Sequence, residues 1–103
     1  MTPNHVAVYC IDAPGSLAGR KTASPAHLRY IETILDRLLL AGPMFSDDGG
    51  TVVGSLYVFK TASLEEARHL IEADPYFQAK FWVQVDFRLV WVAAGECVGG
   101  KLW

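Results

Sequence analysis

The strongest constraint on the fold is the order in which short apolar runs and longer amphipathic segments follow one another along the chain. Runs rich in β-branched and aromatic residues are typical of strands, and they occur at 5–11, 44–46, 51–60 and 81–92. Apolar residues recur with helical spacing at 24–41 and at 63–74 instead. The predicted order is therefore strand, helix, strand, strand, helix, strand.

The first helix is predicted to begin at Ser24-Pro25. Serine can cap a free backbone N–H, and proline lacks an N–H that would be unpaired at a helix start. Four apolar residues follow at spacings of three and four: Leu28, Ile31, Leu35 and Leu38. The pair Gly42-Pro43 is a typical stop signal, so residues 12–23 are predicted to form a loop before the helix.

The second helix has the stronger start signal. Ser63 and Glu66 form a capping box, in which the serine caps forward and the glutamate can reach back. Pro75 ends the helix because a residue before proline is disfavoured in the α region, which places Asp74 at the helix exit. In the last strand, alternation predicts one apolar face made by Phe81, Val83, Val85, Phe87, Leu89 and Trp91.

This β-α-β-β-α-β order is the ferredoxin-like α+β pattern, an antiparallel sheet with two helices on one face. The strands at 5–11 and 51–60 are nevertheless apolar on both faces. A monomer would leave a large apolar sheet face in water, so we expect a homodimer joined through these faces. Residues 1–93 are predicted to form the domain, and residues 94–103 a glycine-rich tail.

Composition excludes several classes of partner. A net charge of −2 with nine basic residues argues against nucleic acid, which requires clustered lysine and arginine. No apolar stretch approaches the ~20 residues that span a bilayer, and the first residues lack a signal-peptide pattern. Cys10 and Cys97 form no CxxC motif and are predicted to be free thiols in a cytoplasmic protein.

His27 and Asp74 are the candidates for acid–base chemistry. At the third position of the predicted helix, His27 would feel the positive helix end, which favours a neutral imidazole able to act as a base. The start of the first helix and the end of the second can approach one another in this fold, so Asp74 could orient the His27 ring. Each residue also has a simpler interpretation, as an exposed first-turn residue and as a turn residue before proline.

Arg20 and Ser55 are the candidates for substrate binding. Arg20 could pair with a carboxylate or phenolate, or it could be a solvated loop charge. Ser55 follows Gly54 in an otherwise bulky strand, where glycine indicates either a close approach by another group or a bulge. No motif has the spacing of a metal site, a P-loop or a dinucleotide-binding turn, so neither metal nor cofactor is predicted.

Several of these residues belong to motifs that resemble the YciI-like (YCII-related) family. The motifs appear in order as Arg20, then PAHL at 25–28, AGPM at 41–44, GS at 54–55 and ADPY at 73–76. The resemblance spans residue 5 to about residue 92. It implies a ferredoxin-like fold in a dimeric α+β barrel, related to muconolactone isomerases. The family often has arginine before its Pro-Ala-His, where this chain has Ser24.

The resemblance also implies a function. The family's site is a His–Asp pair in a pocket, matched here by His27 and Asp74, with Arg20 and Ser55 at further motif positions. A dehydrochlorinase acting on a hydroxylated chloroaromatic is among the family's activities. The predicted function is isomerisation or elimination on a small oxygenated ring, without a cofactor. The alternatives are a non-catalytic ligand-binding or regulatory dimer, and a haem protein with His27 as axial ligand.

Overall fold

The computed structural model describes all 103 residues. The main elements are β1 (His5–Asp12), α1 (Leu17–Thr33), β2 (Leu38–Phe45), β3 (Val52–Phe59), α2 (Leu64–Glu72), α3 (Pro75–Gln78) and β4 (Trp82–Val90). The strands form one antiparallel sheet in the order β2-β3-β1-β4. The ferredoxin-like α+β class is confirmed, with the short helix α3 added after α2.

The core lies between one face of the sheet and the helices. Alternate residues of β1 point into it, and Val6, Val8 and Cys10 are fully buried. From α2, Ala67 and Ile71 pack against the same cluster. Burying an aliphatic side chain of this size contributes roughly 1.5–3 kcal/mol, so this face holds the helices on the sheet.

The first helix begins two turns earlier than the sequence predicts. It starts at Leu17, and the backbone N–H of Arg20 donates to the carbonyl of Ser16. Pro25 therefore lies inside the helix, where it removes one backbone hydrogen bond. The predicted helix start at Ser24-Pro25 is therefore wrong, and residues 17–23 are helix instead of loop.

The same helix also ends earlier than predicted. It stops at Thr33, and a turn of 3₁₀ helix at Leu35–Arg37 leads directly into β2. Residues 38–43 are therefore strand, because their backbone pairs with β3. Pro43 is tolerated there because β2 is an edge strand, in which only one side of the backbone pairs with a neighbour.

The alternation predicted for the last strand is broken by a bulge. Ile11 pairs with Gln84 but Asp12 pairs with Trp82, so Val83 is an extra residue on β4. Trp82 consequently packs against the core, whereas Val83 is 66% exposed. Val85 and Phe87, which lie beyond the bulge, pack against the core as predicted.

The glycine-rich tail folds back on itself. Residues Ala94–Gly95 (β5) pair with Gly100–Lys101 (β6) around one turn of 3₁₀ helix. Gly99 adopts a left-handed conformation, with φ of 74°, that closes this turn. No helix of the protein is both long and apolar enough to cross a membrane.

Gly54 is required by the close approach of β1 and β2. A Cβ atom at this position would lie 2.2 Å from the Cys10 carbonyl oxygen and 2.7 Å from Cε of Met44. We expect Gly54→Ala to lower the free energy of unfolding by about 1–3 kcal/mol, because β3 must shift to relieve the overlap. Urea denaturation measures this change. Gly42→Ala is the matched control, since a Cβ there meets no heavy atom within 4 Å; equal effects would contradict the explanation.

The two cysteines are free and differ in environment. Cys10 is buried and Cys97 is exposed. Burial, together with the negative charge of Asp74, raises the pKa of the Cys10 thiol to about 12. Because the thiolate is the reactive form, we expect iodoacetamide at mildly alkaline pH to modify Cys97 alone in the folded protein, and both cysteines after unfolding without reductant. Mass spectrometry reads the count; no modification after unfolding would mean that the thiols are not free.

Candidate active site

A cavity of about 330 Å³ opens between α1 and strands β2 and β3. This volume is at the lower end of the range for small-molecule sites, roughly 300–1,000 Å³. One part of its wall is polar and comprises Arg20, Ser24, His27, Ser55, Tyr57 and Tyr76. The remainder is largely apolar and comprises Leu28, Ile31, Ala41, Gly42 and Pro43. A ligand that fits here would carry its polar groups on one edge.

The early start of α1 explains how two of the predicted residues share this cavity. Arg20 and His27 are seven residues apart in one continuous helix, and seven residues are close to two turns. Ser24 lies between them, and Ile31 follows one turn after His27, all on the same face. Leu28 and Ile31, which belong to the apolar stripe of the predicted helix, line the cavity, and Ile31 also packs against the core.

His27 and Asp74 are in direct contact. The Nδ1 atom of His27 lies 2.7 Å from Oδ1 of Asp74, in a pair whose side chains are 13% and 0% exposed. Since His27 is the eleventh residue of α1, the predicted influence of a helix start on its ring is wrong. The sequence separation of 47 residues is bridged because α3, which begins directly after Asp74, packs against α1.

Asp74 is a cap of the helix that follows it, and not simply the exit of α2. Its Oδ1 accepts the backbone N–H of Tyr76 at 2.9 Å, which caps the start of α3. Its Oδ2 accepts the hydroxyl of Tyr57 at 2.6 Å. Three donors therefore compensate a carboxylate that has no contact with water.

These contacts fix the tautomer of His27. A carboxylate is an acceptor only, so Nδ1 must carry the proton that it donates to Asp74. In the neutral ring, Nε2 then has a free lone pair. Since His27 lines the cavity, this nitrogen is the basic atom that a ligand can meet.

The ring of Tyr76 holds the imidazole in place. The two rings are stacked in parallel, with centroids 3.7 Å apart and planes inclined by 8°. The guanidinium of Arg20 lies 4.8 Å from the centroid of the same Tyr76 ring. Tyr76 thus connects the His27–Asp74 pair with the basic end of the cavity.

Arg20 is bound to Asp12 and Ser55. Its Nε and Nη2 atoms donate to the two carboxylate oxygens of Asp12 at 2.5 and 3.1 Å, and Nη2 also donates to Ser55 Oγ at 2.7 Å. Burial lowers the pKa of Arg20, but the Asp12 hydrogen bond and charge outweigh it, so that the pKa is raised overall. Three of its five N–H groups are engaged by these partners, and the two on Nη1 are not.

The structure thus brings the four predicted residues together as two bonded pairs at one cavity. Three further residues of this site were not predicted: Asp12, Tyr57 and Tyr76. Asp12 reads as the polar end of an apolar strand, and Tyr57 as one of several apolar strand residues. Tyr76 was within the ADPY motif, but nothing in that motif indicates a ring that stacks on histidine.

The sequence matches the family model of the YCII-related domain over residues 5–88. Protein YciI of Escherichia coli O6:H1 is 36% identical over 88 residues, a match that covers 79% of this chain and 90% of the relative. Protein YciI of Shigella flexneri gives the same values.

A solved structure extends this similarity to an enzyme. It is the 5-chloro-2-hydroxyhydroquinone dehydrochlorinase of Burkholderia phenoliruptrix AC1100, in complex with 2,5-dihydroxybenzoquinone. The two structures superpose with a TM-score of 0.75 at 26% identity, covering 89% of this chain and 96% of the other. The family model spans most of the residues of this chain, and the relatives match it over most of their own length. The chain therefore belongs to the YCII-related family.

Proposed function

We propose that this protein catalyses isomerisation or elimination on a small oxygenated ring, using His27 and Asp74 as an acid–base pair. The observation that carries the proposal is the bond between His27 Nδ1 and the fully buried Asp74 carboxylate. It leaves a basic nitrogen at the cavity and places a negative charge behind it. Such a pair needs neither a metal nor a nucleotide.

His27 moves the proton in both reactions. Its Nε2 takes a proton from a ring carbon or hydroxyl, and the electrons of the broken bond form a new π bond. In an elimination, the leaving group departs with its bonding electrons. In an isomerisation, His27 returns the proton to another atom of the same ring. Asp74 stabilises the imidazolium that exists between these events, because it is a full charge at hydrogen-bond distance.

Arg20 and Ser55 hold an oxygen of the substrate. The Nη1 hydrogens of Arg20 are free of Asp12 and Ser55, and the Ser55 oxygen already accepts from Arg20. The hydroxyl proton of Ser55 can therefore be donated to a ligand. A phenolate or enolate oxygen placed here would meet a charged donor and a neutral one, at a site where both residues are buried.

The shape of the cavity favours a single ring as substrate. Its volume suits a molecule of that size, and its polar and apolar parts suit a ring with oxygen atoms along one edge. The similar dehydrochlorinase, whose solved complex holds 2,5-dihydroxybenzoquinone, supports hydroxylated quinols and quinones as the class to test first.

The pair is tested by removing each member and then both. We expect His27→Ala and Asp74→Asn each to lower kcat/KM by about 10²–10⁴-fold, since general acid–base catalysis contributes on this order. The double variant should be impaired no more than His27→Ala, because residues that act as a unit are not additive. Chloride release from 5-chloro-2-hydroxyhydroquinone, followed with the absorbance of the quinone product, measures the rate.

His69→Ala is the matched control. His69 is exposed on α2 and makes no side-chain hydrogen bond, so its removal should leave the rate unchanged. Full activity in His27→Ala would exclude the acid–base pair. Saturable binding of hydroxyquinones without turnover would favour the alternative, a ligand-binding or regulatory module.

We also propose that the protein is a homodimer joined through its open face, the side of the sheet that carries Ala7, Tyr9, Ile11, Leu40, Leu56 and Val58. Tyr9 and Leu40 are each 47% exposed there. Strand register places Val58 between Ala7 and Leu40, opposite to the helices. Apolar surface of this kind is uncommon on a monomer and favours a second copy as its cover.

A buried charge tests the dimer. Val58→Glu should lower the sedimentation coefficient to that of a monomer or unfold the chain, since an unpaired carboxylate in an apolar interface is costly. Analytical ultracentrifugation at micromolar concentration measures this. Leu35→Glu, at an exposed position in the 3₁₀ turn, should sediment as wild type. A monomeric wild-type protein would contradict the proposal.

Cytoplasmic location and the absence of a nucleic-acid partner are part of the same proposal. They are supported by the two free thiols and by a net charge of −2 without a basic cluster.

A further inference from the structure

Tyr57 contacts Asp74 on the side away from His27, and the function proposed above gives it no role. Its hydroxyl is the sole partner of Oδ2 of Asp74, at 2.6 Å, whereas Oδ1 has two partners. The three donors come from different elements: Tyr57 from β3, His27 from α1 and the Tyr76 N–H from α3. Removing Tyr57 would leave one oxygen of a fully buried carboxylate without a partner.

The Tyr57 side chain is held firmly in position. It is 2% exposed, stacks on Phe59 with centroids 5.6 Å apart, and meets Trp82 edge-on at 6.1 Å. Its ring therefore cannot turn away from Asp74 without disturbing the core. Burial and the Asp74 charge both raise the pKa of the phenol, so the hydroxyl remains protonated and always acts as the donor.

Two consequences follow for Asp74. With Oδ2 fixed by Tyr57 and Oδ1 fixed by the Tyr76 N–H, the carboxylate cannot rotate about its Cβ–Cγ bond. The hydrogen bond from Tyr57 also withdraws negative charge from the group, so Asp74 is a weaker acceptor toward His27 than an unshared carboxylate would be. Two donors that share one acceptor weaken each other, whereas bonds that follow one another along a chain of donors and acceptors strengthen each other.

We propose that Tyr57 is a positioning residue, whose hydroxyl fixes the plane of the Asp74 carboxylate and limits the strength with which Asp74 holds the Nδ1 proton of His27. The geometry alone carries this inference. Its importance for turnover rests on the proposed function, but its test uses the protein without substrate. If the NMR test contradicts the role of Tyr57, the acid–base proposal still stands. If no activity is found, the role of Tyr57 is still decided by the NMR test.

The test compares Tyr57→Phe with wild type by NMR of the His27 ring. Phenylalanine keeps the stacking on Phe59 and removes only the hydroxyl. The downfield region of the proton spectrum shows the Nδ1 proton, and proton–nitrogen correlation through the ring carbon protons assigns the tautomer of the ring. We expect the Nδ1 proton to move downfield in Tyr57→Phe, because Asp74 becomes the stronger acceptor. In Asp74→Asn the same proton should move upfield or be lost.

Tyr30→Phe is the matched control. Tyr30 also donates its hydroxyl within the core, but to the Leu70 carbonyl at 2.6 Å and not to Asp74. Its loss should leave the His27 ring signals unchanged. An unchanged Nδ1 proton in folded Tyr57→Phe would overturn the proposal and reduce Tyr57 to a packing role.

A reciprocal measurement decides the question if Tyr57→Phe does not fold. His27→Ala removes one donor from Asp74 at the cavity side, without touching Tyr57. The Tyr57 hydroxyl proton, which is buried against a carboxylate, should then move downfield relative to wild type. An identical hydroxyl resonance in the two proteins would show that the two donors do not communicate through Asp74, and would equally overturn the proposal.

Discussion

The site depends on one carboxylate that is completely removed from water. A charge in that position is tolerated only when hydrogen bonds replace its hydration, and Asp74 has three. Each comes from a different part of the chain, so the carboxylate connects α1, β3 and the start of α3. The same contacts that compensate the charge also orient His27. The hydrogen bonds that make the buried charge tolerable are therefore the same ones that set the orientation of the His27 ring.

The long first helix is the second requirement, and it shows where local sequence signals fail. Ser24-Pro25 has every local feature of a helix start, yet the helix runs through it from Leu17. Tertiary contacts stabilise the longer helix, since the Arg20 side chain in its first turn bonds Asp12 and Ser55. A proline inside a helix lowers stability. The local sequence does not reveal that contacts elsewhere in the fold compensate for this loss.

The predictable parts of the fold are those with the strongest local patterns. β1 and β3 lie where short β-branched and aromatic runs predict strands, and α2 lies where the capping box predicts a helix start. The segment 38–43 was misread since its leucines fit a helix as well as a strand, and pairing with β3 decides between the two. Of the site, His27 and Asp74 are indicated by their positions beside the predicted helix ends and by the motif resemblance. The partners Asp12 and Tyr57 are not, because a hydrogen bond between distant residues leaves no local signal.

The walls of the cavity come from parts of the fold that differ in how firmly they are held. The groups that would carry the chemistry come from α1, β3 and α3, whereas Ala41 and Pro43 come from the edge strand β2. An edge strand is bonded on one side only, and its small side chains at this point leave room for larger ones. Exchanges at Ala41 can therefore reshape the space offered to a ligand while the buried network around Asp74 stays intact. The shape of the cavity can therefore change without a change in the groups that would carry the chemistry.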